Sequence, residues 1–266
     1  MTSASLSLTL FDEQGDTIAL VMLSGVQYLN GQFFDIKTIT AAGHKAGAKV
    51  GWDLAHAVGN IDLQLHNWGP DFACWCTYKY LNAGPGNLGG FYLHSRHAAS
   101  SQKELPRLAG WWGHQRETRF QMDPEFIPIK GAYSFQLSNP PVLCMASLLI
   151  SLQLFEKAGG MKPLVAKSRA LTGYLEILLK EEGLTPGRVT ILTPAEPERR
   201  GAQLSLRFDC LVDKVEEAMR DRGVMVDTRK PNVMRVAPIP LYNSFEDVFV
   251  FVQGLKAALA DVPPSS

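Results

Sequence analysis

The chain lacks an excess of charge of either sign, since 26 basic residues balance 26 acidic ones. Without a basic field it has no electrostatic footprint for nucleic acid or for an anionic membrane surface. It also lacks long apolar runs. Those present are short and broken, well under the roughly 20 residues that a bilayer-crossing helix needs. The first residues, MTSASLSLTLFDEQGD, lack the basic start and long apolar stretch of a secretory signal. Cysteine is scarce, with four residues, Cys74, Cys76, Cys144 and Cys210. No CxxC pair or Cys/His ladder points to zinc. These thiols are expected to be buried and reduced, as in a cytosolic protein. Cys74 and Cys76 fall in one apolar strand and are expected to point to opposite faces. There is no internal repeat and no low-complexity tract.

What remains is an ordinary globular composition in 266 residues, enough for one large domain or two modest ones. Residues 1–16 are polar and read as irregular. Thr17 to Ser24 (TIALVMLS) is a continuous apolar run, expected as a strand buried on both faces. Asp35 to Gly47 reads as a helix with Asp35 as N-cap and Gly47 as terminator. Ala48 to Asp53 is the next strand. Strand, helix, strand makes a βαβ unit, so these strands are expected to be parallel. Ile61 to Trp68 is short and helical or irregular. Asp71 to Cys76 and Asn87 to Leu93 are further strands.

Ser138-Asn139-Pro140-Pro141 is a strong break, and a domain boundary is expected at 139/140. Beyond it come helices at Val142–Ala158 and Met161–Glu182, then a linker at Gly187–Gly201. Next are strands at Gln203–Phe208, Gly223–Val226 and Val233–Ala237, with a helix at Leu211–Arg222. A closing helix runs from Ser244 to Ala260, with Ser244 as N-cap and Asp247 at its third position. This C-terminal part is a small α+β layout.

The stretch from Gly51 to Gly90 holds the chemistry. It reads GWDLAHAVGN, IDLQLHNWGPDFACWC and TYKYLNAGPGNLGG. In a parallel sheet, ligands bind beyond the carboxyl ends of the strands, where Ser24 and Asp53 fall. His56 follows Asp53 by three residues. Lys79 follows an apolar strand and precedes a glycine-rich loop. A carboxylate and an amine at such places suit pyridoxal phosphate (PLP), one for the pyridine nitrogen and one for the aldehyde. The carboxylate keeps the ring nitrogen protonated, and a desolvated or condensed lysine is a useful nucleophile. The loop NAGPGN either cradles phosphate through its N–H groups or is a tight turn. Trp111 and Trp112 either cover a ring or pack their loop. Arg235 reads as a charged surface residue closing a strand.

The pattern D-x-x-H with a lysine 26 residues after the Asp resembles fold-type I PLP enzymes of the aminotransferase class V group. The longer motifs WDLAHAVGN, DFACWCTYKYLNAGPG, GWWGH, SNPP and MRVAPIPLYNSF resemble kynureninase. That resemblance implies the C-terminal part of a fold-type I large α/β domain at 1–139, with a mostly parallel sheet, and a small α+β domain with its connecting helix at 140–266. It implies PLP as cofactor and no metal. Lys79 would be the lysine that condenses with the cofactor aldehyde and, with Tyr78, would carry the proton transfers. Ser24, Asp53, His56, Tyr78, Trp111 and Asn139 would contact the cofactor, with Tyr78 at the phosphate. Arg235 would grip the substrate α-carboxylate, and Asn139 would line the substrate pocket. The implied reaction is hydrolysis of L-kynurenine or 3-hydroxykynurenine to anthranilate or 3-hydroxyanthranilate plus alanine. The setting is tryptophan catabolism toward NAD, in a cytoplasmic homodimer.

The resemblance runs from about Asp16 to the C-terminal helix, roughly half of such an enzyme. Residues 1–11 do not match and read as an alternative start or a truncated gene model. The half that is not matched would carry further strands, the aromatic that stacks on the PLP ring and a phosphate turn. Its lack is expected to leave an unpaired strand edge and an uncovered apolar face. The alternative is therefore an inactive fragment that associates with full-length subunits. A second alternative, a cysteine desulfurase, needs a mobile cysteine loop, whereas Cys74 and Cys76 sit in a strand.

Overall fold

The computed structural model describes residues 3–122 and 124–264. The chain forms two compact units. The first holds residues 1–25, 35–58 and 63–152, and the second holds residues 26–34, 59–62 and 153–266.

The first unit is built on a sheet of β1 (Leu20–Ser24), β2 (Lys49–Asp53), β3 (Phe72–Cys76) and β4 (Gly89–Leu93), in that order. β1, β2 and β3 are parallel, and β4 runs antiparallel to β3. A single helical turn, α3 (Leu65–Trp68), precedes β3. The expected βαβ unit is present. Its helix, α2 (Ile36–Lys45), starts at Asp35, whose side chain accepts the Thr38 N–H at 3.0 Å. Such a cap satisfies one of the N–H groups that a helix start leaves orphaned. Ile36, Ile39 and Thr40 recur on one face of α2 and bury it beside Val50 and Trp52 of β2. The Trp52 indole N–H donates to Thr40 Oγ1 at 3.0 Å, so the ring can be fully buried with its polar atom satisfied.

The amino end of the sheet is fixed by Asp71, just ahead of β3. Its carboxylate accepts from Val50 N–H at 2.8 Å and Arg96 Nη2 at 3.0 Å. It also bonds His44 Nε2 at 2.9 Å and His97 Nε2 at 2.6 Å. Burial alone would raise its pKa. The Val50 N–H, His97, His44 and Arg96 together more than offset that and hold it well below the ordinary carboxylate value.

The second unit is a sheet in the order β5 (Val189–Ile191), β6 (Leu204–Phe208), β8 (Val233–Val236) and β7 (Asp227–Arg229). All its pairings are antiparallel. α5 (Met161–Glu181), α6 (Val212–Asp221) and α7 (Phe245–Asp261) bury their apolar faces on it. Leu171, Leu175, Leu206, Met219, Met234 and Leu255 are fully buried there. α7 opens with the expected capping box, in which Ser244 and Asp247 each accept the other's backbone N–H.

Several expectations are corrected. Residues 3–14 are helical, as α1 (Ser3–Gln14), and a tight turn of 3₁₀ helix follows at Gly15–Thr17. No Gly or Pro interrupts that stretch, and Gly15 packs closely on Ala46 at the end of α2. Residues 1 and 2, also expected to be irregular, lie outside the described residues. β1 therefore starts later than expected. It is buried on one face only: Val21 is buried, while Leu20 and Met22 are exposed. β1 ends the sheet, as the expected unpaired edge. Cys74 and Cys76 lie on one face of β3, not two, because a strand repeats every two residues. Only Cys210 is buried, and Cys74, Cys76 and Cys144 are half-buried free thiols.

The linker at 187–201 contains the short strand β5, too brief for its alternation to be read. The strand expected at Gly223–Val226 is β7, at Asp227–Arg229. Gly223, at φ +76°, closes α6 instead, and the polar residues that follow gain their pairing only from β8. The two units divide inside α4 (Val142–Lys157), after Leu152. The first turns of α4 are tied to the loop after Lys79. Ser147 Oγ donates to the Ala83 carbonyl at 2.5 Å, Ser151 Oγ donates to the Leu81 carbonyl, and Cys144 Sγ lies 4.0 Å from the Gly86 carbonyl.

Candidate active site

The carboxyl ends of three parallel strands set the site. Ser24 ends β1 and Asp53 ends β2, directly opposite each other in register. The Gly25 N–H donates to the Asp53 carbonyl at 2.8 Å, which extends the ladder one step past Ser24. Asp53 is also opposite Cys74 of β3. Its side chain is exposed, and Oδ1 accepts the Ala55 N–H at 2.8 Å. That bond turns the chain immediately after the strand and delivers His56, which is half-buried.

Tyr78 and Lys79 follow the end of β3. Two contacts draw this segment to the Asp53 turn. The His56 and Tyr80 rings meet edge-on at 6.0 Å between centroids. Cys76 Sγ lies 4.0 Å from the Ala55 carbonyl. The Lys79 amine sits 5.7 Å from the centroid of the Tyr78 ring, and Tyr78 itself is exposed. The Cys76 thiol beside it raises the Tyr78 phenol above its ordinary pKa. Tyr78 is thus a proton-bearing group at neutral pH.

The loop after Lys79 is a built turn. Asn82 takes the left-handed conformation at φ +57°, and Gly84 follows at φ +95°. The Asn82 N–H donates to the Lys79 carbonyl at 2.9 Å, and the Ala83 N–H to the Thr77 carbonyl at 3.1 Å. Asn87 closes it by donating to the Ala83 carbonyl at 2.6 Å. The backbone is bent back under Lys79 and fixed before β4 begins.

Trp111 lies in a separate turn. Its indole N–H donates to the Arg119 carbonyl at 2.9 Å, and its ring packs edge-on against Phe120. The Arg119 guanidinium stacks over Trp112 at 4.5 Å. Gly110 is what brings this turn onto the segment leading to Asn139, because a Cβ there would lie 2.3 Å from Leu137 Cα. Asn139 is exposed just ahead of α4. The structure gives neither residue a contact with Asp53 or Lys79.

Arg235 belongs to the second unit, on β8. Its Nε donates to Asp227 Oδ2 at 2.7 Å, its Nη2 donates to the same oxygen, and its Nη1 donates to the Tyr28 carbonyl at 2.9 Å. The sequence reading as a surface residue is therefore corrected: the side chain is only 13% exposed and fully engaged along one edge. Asp227 was missed because it pairs with Arg235 through strand register, which spacing along the chain does not reveal.

One carboxylate at the end of β2 and one amine just past the end of β3, drawn toward the same end of the sheet by His56–Tyr80 and Cys76–Ala55, are groups that fit PLP. Among the described residues no group of three or more His, Cys, Asp or Glu could hold a metal ion. Nor, among them, is any single helix long and apolar enough to cross a membrane. Cys74 is a poor nucleophile, since burial and then the Asp53 charge raise its thiol above the ordinary value.

Known proteins resemble this chain over most of its length. The family model described as the kynureninase C-terminal domain matches residues 164–255. Kynureninase of Nematostella vectensis is 53% identical across 97% of this chain, which covers 57% of that protein. Kynureninase of Myxococcus xanthus is 53% identical across 94% of the chain and 57% of its own length. That of Dictyostelium discoideum is 50% identical across 94% of the chain and 55% of its length. Among solved structures, cysteine desulfurase of Thermococcus onnurineus NA1 superposes with a TM-score of 0.77 at 16% identity, covering 96% of this chain and 63% of that one. A C-DES variant with glycine covalently linked to its PLP cofactor gives 0.80 at 18% identity, covering 96% and 64%. The fold is therefore that of fold-type I PLP enzymes. The chain spans a little over half the length of the curated relatives it matches, and what it resembles, over nearly all of its own length, is the C-terminal half of kynureninase.

Proposed function

We propose that this chain carries a kynureninase-type site, which hydrolyses L-kynurenine or 3-hydroxykynurenine to anthranilate or 3-hydroxyanthranilate plus L-alanine. The observation that supports this most is the drawing together of the Asp53–His56 turn and the Tyr78–Lys79 segment at the carboxyl ends of β2 and β3, through His56–Tyr80 and Cys76–Ala55. PLP, when bound, supplies an electron sink for charge developing at the substrate α-carbon.

The chain's own residues do the rest. Asp53 would hold the ring nitrogen, with His56 beside it and Ser24 opposite it in register. Lys79 would hold the cofactor aldehyde and would then take the substrate α-proton. Tyr78, which holds its proton, hydrogen-bonds the phosphate and returns a proton as the substrate Cβ–Cγ bond breaks. Water supplies the oxygen and hydrogen that the two products gain. Trp111 and Asn139 line the pocket, and Arg235 binds the substrate carboxylate. Around that chemistry we infer a homodimer in the cytoplasm acting in tryptophan catabolism toward NAD.

A second reading is an inactive fragment that associates with full-length subunits. It is favoured by the exposed β1 edge, where Leu20 and Met22 face outward. One experiment separates the two. The purified chain is given PLP and L-kynurenine, and anthranilate fluorescence is followed. Product that disappears in Lys79→Ala supports the enzyme, and no product supports the fragment.

A further inference from the structure

Arg235 and Asp227 face each other across β8 and β7, in antiparallel register. On its other side Arg235 faces Ser205 of β6. A guanidinium carries five N–H donors. Three of them are used here: Nε and Nη2 donate to Asp227 Oδ2, and Nη1 donates to the Tyr28 carbonyl. One N–H remains on each terminal nitrogen. Those two nitrogens form the end-on fork that grips a carboxylate in a bidentate way.

Both holding groups are themselves held. Asp227 Oδ1 accepts from Arg229 Nη1 at 2.6 Å, so the carboxylate is clamped from its second oxygen. The Tyr28 carbonyl also accepts from Gln203 Nε2 at 3.1 Å. Its loop is tied down by Ser205 Oγ, which donates to the Leu29 carbonyl at 2.5 Å, and by Gln27 Oε1, which accepts the Asn30 N–H at 3.0 Å. Gln203 and Ser205 are buried. Arg229 and Arg235 bring two positive charges against the single negative charge of Asp227, which leaves the triad one charge positive. That residual charge suits an incoming anion.

We propose that Asp227 is the positioning residue for Arg235: it holds the Nε–Nη2 side edge of the guanidinium, the Tyr28 carbonyl steadies Nη1, and the N–H left on each terminal nitrogen is presented to the substrate α-carboxylate. The inference rests on the reading of Arg235 as the carboxylate-binding group. Asp227 does not touch substrate and acts only through Arg235.

The test uses the full chain with PLP and calorimetric titration of two probes. L-Kynurenine carries the α-carboxylate, and kynuramine lacks it but is otherwise the same. Wild type should favour L-kynurenine, and Arg235→Met should abolish that preference. Asp227→Asn should weaken L-kynurenine binding about tenfold, as loss of a charge-assisted bond does, and leave kynuramine unchanged. A nitrogen-edited NMR spectrum should show the Arg235 Nε–H exchanging with water at least several-fold faster in Asp227→Asn, but not in Asp213→Asn, a control on another surface ion pair. If Asp227→Asn weakens both probes equally, or tightens L-kynurenine, the positioning role is overturned. The same holds if the Nε–H stays equally protected. If Arg235→Met leaves the preference intact, or wild type has none, the reading of Arg235 itself fails and takes this inference with it.

Discussion

Ser24 and Asp53 stand opposite each other at the last step of the β1–β2 ladder, and the Asp53 carbonyl accepts the Gly25 N–H at 2.8 Å. The backbone is thereby fixed at the point where an exposed carboxylate leaves the sheet. Asp53→Ala should weaken PLP binding by roughly tenfold or more, because the ring nitrogen loses its anionic partner. The melting temperature without PLP should fall only by a few degrees, since the side chain is exposed and gives up a single hydrogen bond, from the Ala55 N–H. Titration of PLP against both proteins checks this.

Cys74 stands opposite Asp53, and burial and then the Asp53 charge raise its thiol. Removing the carboxylate removes one of the two causes, so the pKa should fall. The pH midpoint of Cys74 alkylation, followed by peptide mass spectrometry, should lie above the ordinary thiol range in the wild type and drop in Asp53→Asn. An unchanged midpoint would mean that the two side chains do not sense each other.

Gly110 holds the tryptophan turn against Leu137 with no room for a methyl group. Gly110→Ala should cost about 1–3 kcal/mol, the usual penalty for overpacking. It should expose Trp111 and Trp112 to quencher before the rest of the chain unfolds. Tryptophan quenching along a urea titration measures both effects.

Asp71 anchors the other end of the sheet, with a folded pKa held well below its ordinary value of 3.8. A depressed carboxylate adds stability above its unfolded pKa and loses it as pH falls through the folded one. Asp71→Asn should therefore lower stability by about 3 kcal/mol at pH 7, as breaking a buried charged pair does. The gap from wild type should narrow only below about pH 4, where unfolded Asp begins to take up its proton. Urea midpoints at a series of pH values give the comparison.

The βαβ unit, the Asp35 cap and the Ser244 capping box were all legible in the sequence, because apolar period and cap chemistry are local. Lys79 and Asp53 were legible as strand-end residues for the same reason. Asp227 was not, since its partner Arg235 lies on another strand and only register joins them. The Asp71 cluster was hidden in the same way: its ligands come from α2, from the start of β2 and from the turn after β4. α1 was missed because its Leu and Phe residues alternate with Ser and Thr and form no helical stripe, and its contact with α2 is a tertiary effect.

The central claim is that Lys79 holds PLP in this chain. The most direct measurement is to incubate the purified protein with PLP, reduce with borohydride, digest and map the modified peptide by mass spectrometry. The account predicts a single phosphopyridoxyl lysine at Lys79, lost in Lys79→Ala and diminished in Asp53→Ala. Label spread over several surface lysines, unchanged by either substitution, would contradict it.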